Sequence, residues 1–134
     1  MYRWFVILYG YLYYDGNIKY SGNNNSYPKY GDIIVIDFDP QIGVEMKKRR
    51  PAIVVSADEF QKRTGLVWLV PITSTVKGLF PLHVSVDECG TTGVAICEQV
   101  KSFDYNARNW RRVGAASDEL LEGVRNIISA ILNF

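Results

Sequence analysis

Hydrophobic and polar positions divide this chain into three stretches with different periods. Residues 1–30 keep no sustained period. Eight of the nine tyrosines lie there, ahead of and within the polar run SGNNNSYPKY, which sets this stretch apart from the rest. Asp15-Gly16 suits a tight type I′ turn, so residues 13–20 read as a hairpin and residues 23–28 as a linker. From Gly31 the pattern becomes that of short strands. Residues 33–38, 52–56 and 66–72 are dense apolar runs. Phe80, Leu82, Val84 and Val86 alternate with Pro81, His83 and Ser85, the period of a strand with one wet face. Residues 94–103 offer one or two further strands, broken near Glu98, and the polar residues 58–64 a short turn or helix. The final stretch changes period again. Leu120, Leu121, Val124, Ile127, Ile128, Ile131 and Leu132 form an apolar stripe at helical spacing, with Ser117 as N-cap and Asp118 and Glu119 in the first turn. The reciprocal capping box fails because its acidic position holds Leu120.

Several short antiparallel strands joined by glycine-containing loops predict a small curled barrel, with the last helix sealing one side or end of it. At 134 residues and 48% hydrophobic content the chain can bury one core and is too short for two domains. The net charge of +1 gives no global attraction to nucleic acid, so only local clusters count. One is Lys47, Lys48, Arg49 and Arg50, with Glu45 beside it; a second is Arg108, Arg111 and Arg112. Cys89 and Cys97 make neither a zinc pattern nor a disulfide framework, which points to a reduced, cytoplasmic protein. The apolar start is interrupted by tyrosines and Gly10, lacks a cleavage signal and is too short to span a bilayer.

A cationic loop with one carboxylate can grip and cut a phosphodiester. No metal-ligand pattern accompanies it, and RNA is the easier substrate without a metal because its 2′-hydroxyl is a built-in nucleophile. Arg50 can hold two phosphate oxygens, and Pro51 restricts it to extended backbone; its plainer reading is a surface arginine at a strand end. Glu45 either accepts the hydroxyl proton or orients Arg50, or is a solvated acid. Lys47, Lys48 and Arg49 suit phosphate contacts or a solubilising run. Thr73 and Ser74 close a predicted strand and can donate to a phosphate oxygen, or form a turn with Thr75. Gln99 and Lys101 share the alternating face of one predicted strand, where they can meet a base edge and a phosphate. His83 has no local partner and reads as non-catalytic. Trp68 reads as core, and Trp110 as a base platform, a dimer contact or core.

Three ordered blocks, GDIIVIDFDPQIGVEMKKRRPAIVVS, LVWLVPITS and GVAICEQVKSFD, resemble the MazF/PemK family of toxin endoribonucleases of type II toxin–antitoxin systems. The resemblance covers residues 31–134 and leaves residues 1–30 as a tyrosine-rich extension and linker. It implies a mainly β protein with α-helices, an SH3-like, plasmid-maintenance-toxin (CcdB/PemK-like) barrel with a C-terminal amphipathic helix. It implies a homodimer that cleaves single-stranded mRNA at short motifs without metal or cofactor, leaving a 2′,3′-cyclic phosphate and a 5′-hydroxyl. A cognate antitoxin would neutralise it, operator DNA would be met only through the toxin–antitoxin complex, and no membrane is involved. By motif, Arg50, Thr73 and Glu45 take the catalytic positions, and Gln99 and Lys101 fall in a block of structural or RNA-contact role. Met46, Lys47 and Lys48 make the loop more cationic than in familiar members. Two alternatives stand beside this: a toxin of the same barrel class that binds a protein target such as DNA gyrase, and an inactive RNA-binding module.

Overall fold

The computed structural model describes residues 6–8, 11–13, 26–38, 49–75 and 81–133. β1 (Val6–Leu8) and β2 (Tyr11–Tyr13) pair antiparallel as a separate two-stranded sheet. The expected turn at Asp15-Gly16 lies outside the described residues. The remaining strands are β3 (Asp32–Asp37), β4 (Arg49–Val54), β5 (Leu66–Thr73), β6 (His83–Glu88), β7 (Thr91–Ile96), β8 (Lys101–Asp104) and β9 (Trp110–Ala115). They form one antiparallel sheet in the order β6-β7-β5-β4-β3-β9, with β8 joined to the first half of β5. α1 (Asp58–Thr64) connects β4 to β5, and α2 (Asp118–Ile131) ends the chain.

The unbroken apolar run of β3 follows from burial on both faces. Ile33 lines up across the sheet with Ile53 and Val70. This row belongs to one core, completed by Ile72, Val86, Ala95, Cys97 and, from α2, Leu120 and Val124. Ile34 lines up with Ala52 and Pro71 on the other face. There Ile36, Val54, Val67, Leu69, Phe103 and Tyr105 build the second core. The stripe of α2 outruns its core, leaving Ile131 and Leu132 exposed. α1 stops at Gly65, whose left-handed φ of 73° suits glycine. Its Gln61 is fully buried and satisfied. It accepts the Ser56 hydroxyl at 2.7 Å, donates to the Pro28 and Ser56 carbonyls at 3.1 Å each, and takes the Tyr105 hydroxyl on its own carbonyl at 3.0 Å.

The structure corrects four expectations. The barrel is not closed: among the described residues no backbone pair joins β6 to β9, so the sheet is an open half-barrel. Its edges meet at one corner through side chains, where Cys89 Sγ lies 3.5 Å from the Ala115 carbonyl and Glu88 binds Ser117. α2 covers this side of the sheet, so burial there needs no strand pairing. Trp68 is 45% exposed rather than core, because Val67 and Leu69 point inward and alternation turns Trp68 out, edge-on to Phe60 at 6.0 Å. Gln99 sits in a 3-10 turn, Cys97–Gln99, and not on the strand of Lys101. β4 begins at Arg49, three residues earlier than the apolar run suggested, because β3 pairs with it that far.

Candidate functional site

Arg50 and Thr73 come together through strand register. Arg50 lies opposite Ile36 of β3, so its side chain shares the face of Ile36 and Ala52. On the other side of β4, Val54, Ile53 and Ala52 pair with Leu69, Val70 and Pro71. Continuing that register puts Arg50 opposite Thr73 on the same face. The pairing stops short of this for a chemical reason. Val55 N–H bonds to the Trp68 carbonyl at 3.0 Å, so in this ladder every second residue of β4 turns its N–H toward β5. The donor due after Ile53 is Pro51, which has none. The ladder therefore ends one step before Arg50 and Thr73 and leaves an unpaired mouth between them. Thr73 continues on its far side into β7, opposite Val94.

The Thr73 hydroxyl closes a local turn, accepting Thr75 N–H at 3.2 Å and facing the Thr75 carbonyl at 3.3 Å. A hydroxyl has acceptor capacity beyond that pair. Ser74 follows in a bend and is exposed. Gly93 of β7 runs directly behind Thr73, and a Cβ there would overlap the Thr73 carbonyl. The short side of this glycine is what lets β7 approach.

The arginines divide into those that are engaged and those that are not. Arg49 Nε faces buried Asp37 Oδ1 at 3.4 Å. Arg108 donates from Nη1 to the Asp37 carbonyl at 2.8 Å and to the Phe38 carbonyl, and its guanidinium lies 4.6 Å from the Phe103 ring centroid. Arg112 Nε bonds to buried Asp32 at 2.9 Å. Arg50 and Arg111 are exposed and make no ion pair among the described residues. A guanidinium without a protein carboxylate keeps its two-pronged donor set for a ligand. Lys101 lies opposite Leu69 on the face of Arg50, but Leu69 is roughly 14 Å along β5 from Thr73 at about 3.4 Å per residue. Gln99 is exposed at the 3-10 turn. Glu45, Lys47 and Lys48 lie outside the described residues.

Other candidates settle into supporting places. His83 Nε2 lies 3.3 Å from Glu98 Oε2, a partner fifteen residues away that local reading missed. Trp110 lies opposite Ile36 on the side away from Arg50, half-buried and edge-on to Tyr105 at 6.4 Å. The Cys97 thiol is pushed up to about 11 by burial and then by Glu98. No helix is long and apolar enough to cross a membrane among the described residues. Sequence reading missed Asp37, whose signal was a lone acid ending an apolar strand directly before the cationic loop.

A half-barrel of this topology, flanked by two helices, is also the fold of solved toxins. The chain matches the crystal structure of MazF from Deinococcus radiodurans with a TM-score of 0.70 and 32% identity, covering 81% of this chain and 100% of that one. It matches the crystal structure of MazE-MazF from the same organism with a TM-score of 0.73, covering 81% and 99%. The family model for the PemK-like, MazF-like toxin of type II toxin-antitoxin system matches residues 29–132, and the chain belongs to that family. It is 35% identical over 105 residues to the endoribonuclease toxin MazF of Escherichia coli strain K12, covering 78% of this chain and 94% of that protein.

Proposed function

We infer that this chain is an endoribonuclease toxin that cuts single-stranded RNA without a metal and is neutralised by an antitoxin protein. Family membership supports the class, and the shared row of Arg50 and Thr73 at the unpaired mouth between β4 and β5 is the observation that carries the site. The 2′-hydroxyl of the substrate attacks the adjacent phosphorus. The bond to the 5′-oxygen breaks, giving a 2′,3′-cyclic phosphate and a 5′-hydroxyl. Arg50 spans two phosphate oxygens as charge gathers in the transition state, and the Thr73 hydroxyl donates to one of them. Glu45 accepts the 2′-hydroxyl proton or orients Arg50. Lys47, Lys48, Ser74, Gln99 and Lys101 extend the RNA contact. The toxin domain starts near residue 31, acts as a homodimer, and touches operator DNA only within its antitoxin complex.

The test is incubation of the purified protein with mixed single-stranded RNA in EDTA, followed by mapping of product ends. Cyclic-phosphate ends from wild type, lost in Arg50→Ala and Thr73→Ala while circular dichroism stays native, are expected. Intact RNA across varied sequences, together with inhibition of DNA gyrase, would point to a protein-binding toxin instead. RNA binding without cutting would leave an inactive module.

A further inference from the structure

We infer that Asp37 is a positioning residue. By holding Arg49 on one face of β4 it fixes Arg50 on the other, in the row of Thr73. The inference rests on the reading of Arg50 and Thr73 as the RNA-cleaving pair.

Asp37 and Arg49 are direct cross-strand partners, with Oδ1 and Nε 3.4 Å apart. The Asp37 side chain is only 5% exposed, and Arg49 lies over it half in solvent. A carboxylate so buried is held in place by donors and cations around it. Here they come from the β9 side: Asp37 N–H donates to the Asn109 carbonyl at 3.2 Å, and Asn109 Nδ2 reaches Oδ2 at 3.4 Å. Arg108 binds the Asp37 carbonyl. The acid is thus a fixed point, and Arg49 is the mobile partner seated on it.

β4 needs such an anchor at its start. Its first residues have lost β5, because Pro51 ends that ladder, and only β3 holds them. The pair Asp37–Arg49 closes the β3–β4 register, so it is where that ladder would fray. Successive strand side chains point to opposite faces, and a slip of one residue exchanges them. Seating Arg49 on the Asp37 face therefore commits Arg50 to the Thr73 face. Two adjacent arginines would otherwise be equivalent to the chain, and the buried acid tells them apart. On this account Arg49 serves register and not phosphate contact.

Single-turnover cleavage and RNA affinity in EDTA, measured on wild type, Asp37→Asn, Arg49→Ala, Arg49→Lys and the exchanged pair Asp37→Arg/Arg49→Asp, test this. Asp37→Asn and Arg49→Ala should each lower the rate at saturating RNA by about 10- to 100-fold, as small misplacements of catalytic groups do, with affinity within about 2-fold. The double variant Asp37→Asn/Arg49→Ala should be no slower than either single variant. Arg49→Lys, which keeps the charge on Asp37, should recover most of the rate. Should Asp37→Asn and the exchanged pair not fold, Arg49→Ala decides alone. An Arg49→Ala protein with normal saturating rate, weakened RNA binding and a shallower salt dependence would make Arg49 a phosphate contact and overturn the inference. The side-chain Nε–H resonance of Arg50 provides a readout free of catalysis. Wild type that cuts no RNA would defeat the underlying reading; an Arg50 resonance shifted by Arg49→Ala would still support positioning, and an unmoved one would defeat it.

Discussion

Glu88 completes the N-cap of α2 from a different element. Ser117 Oγ accepts Leu120 N–H at 3.1 Å, the ordinary cap, while Glu88 at the end of β6 accepts the Ser117 N–H at 2.7 Å and its hydroxyl at 2.5 Å. In a capping box the acid comes from the third helical residue, which here is Leu120 and points into the core. The tertiary contact restores what local sequence lacks. Ser117→Ala and Glu88→Ala should each lower stability by about 1 kcal/mol, and the double variant by less than their sum, read from urea midpoints.

Arg50→Lys separates charge from geometry. Lysine keeps the attraction to a phosphate and loses the planar fork, so RNA affinity should hold within a few fold. Cleavage at saturating RNA should fall about 100-fold, the scale of losing an aligned donor in the transition state. Filter binding set against single-turnover rates gives the comparison, and equal loss in both would refute it.

Gly93→Ala should harm activity more than stability. The added methyl overlaps the Thr73 carbonyl, and the strand end carrying Thr73 must move to make room. A cost of about 1–3 kcal/mol in stability, typical of overpacking, should accompany loss of most cleavage in a protein that remains folded at 25 °C. Thermal melts and cleavage assays on one preparation check both parts.

Adjacent residues of β5 should respond oppositely to truncation. Leu69→Ala empties a fully buried position and should cost about 2–5 kcal/mol. Trp68→Thr removes a half-exposed ring resting on Phe60 and should cost about 1 kcal/mol or less. Equal effects would mean that the strand is out of phase by one residue.

The two thiols should differ sharply. Cys89 is exposed and should take a maleimide at once, whereas Cys97 is fully buried and should label only on unfolding. Burial raises the Cys97 thiol to about 11 from an ordinary value of 9.0. Across that window the unfolded chain releases the proton that the folded chain keeps. The stability contribution of this thiol is therefore complete below about pH 9 and falls as pH rises toward 11. Urea midpoints at pH 8 and pH 10.5 for wild type and Cys97→Ala isolate it.

Much of this was readable from residue order because the relevant forces are local. The stripe over α2 and its Ser117 cap, the break between β7 and β8 at Glu98, and the alternation through β6 each follow from period and turn chemistry. The three blocks identified the family because they fall on β3–β4, β5 and β7–β8, the strands that surround the Arg50–Thr73 row. What was not readable depends on partners distant in sequence. Trp68 was misplaced because an apolar run cannot show its phase until Val67 and Leu69 meet their core. β4 was started too late because Arg49 and Arg50 belong to it only through β3. The open side of the barrel depends on α2 replacing strand contacts. The division of the arginines needed acids that are remote in the chain: Arg112 meets Asp32 across eighty residues.

The buried amide of Gln61 has a consequence for how the molecule opens. Its partners are the residue-28 end of the segment before β3, the exit of β4 at Ser56, and the 3-10 turn at Tyr105. Detaching any one strands a polar group in a site without water, at a cost of about 1–3 kcal/mol. These three surface segments, far apart in sequence, therefore cannot loosen one at a time. They open and close as one cooperative unit, and their amide protons should exchange with deuterium with a common free energy.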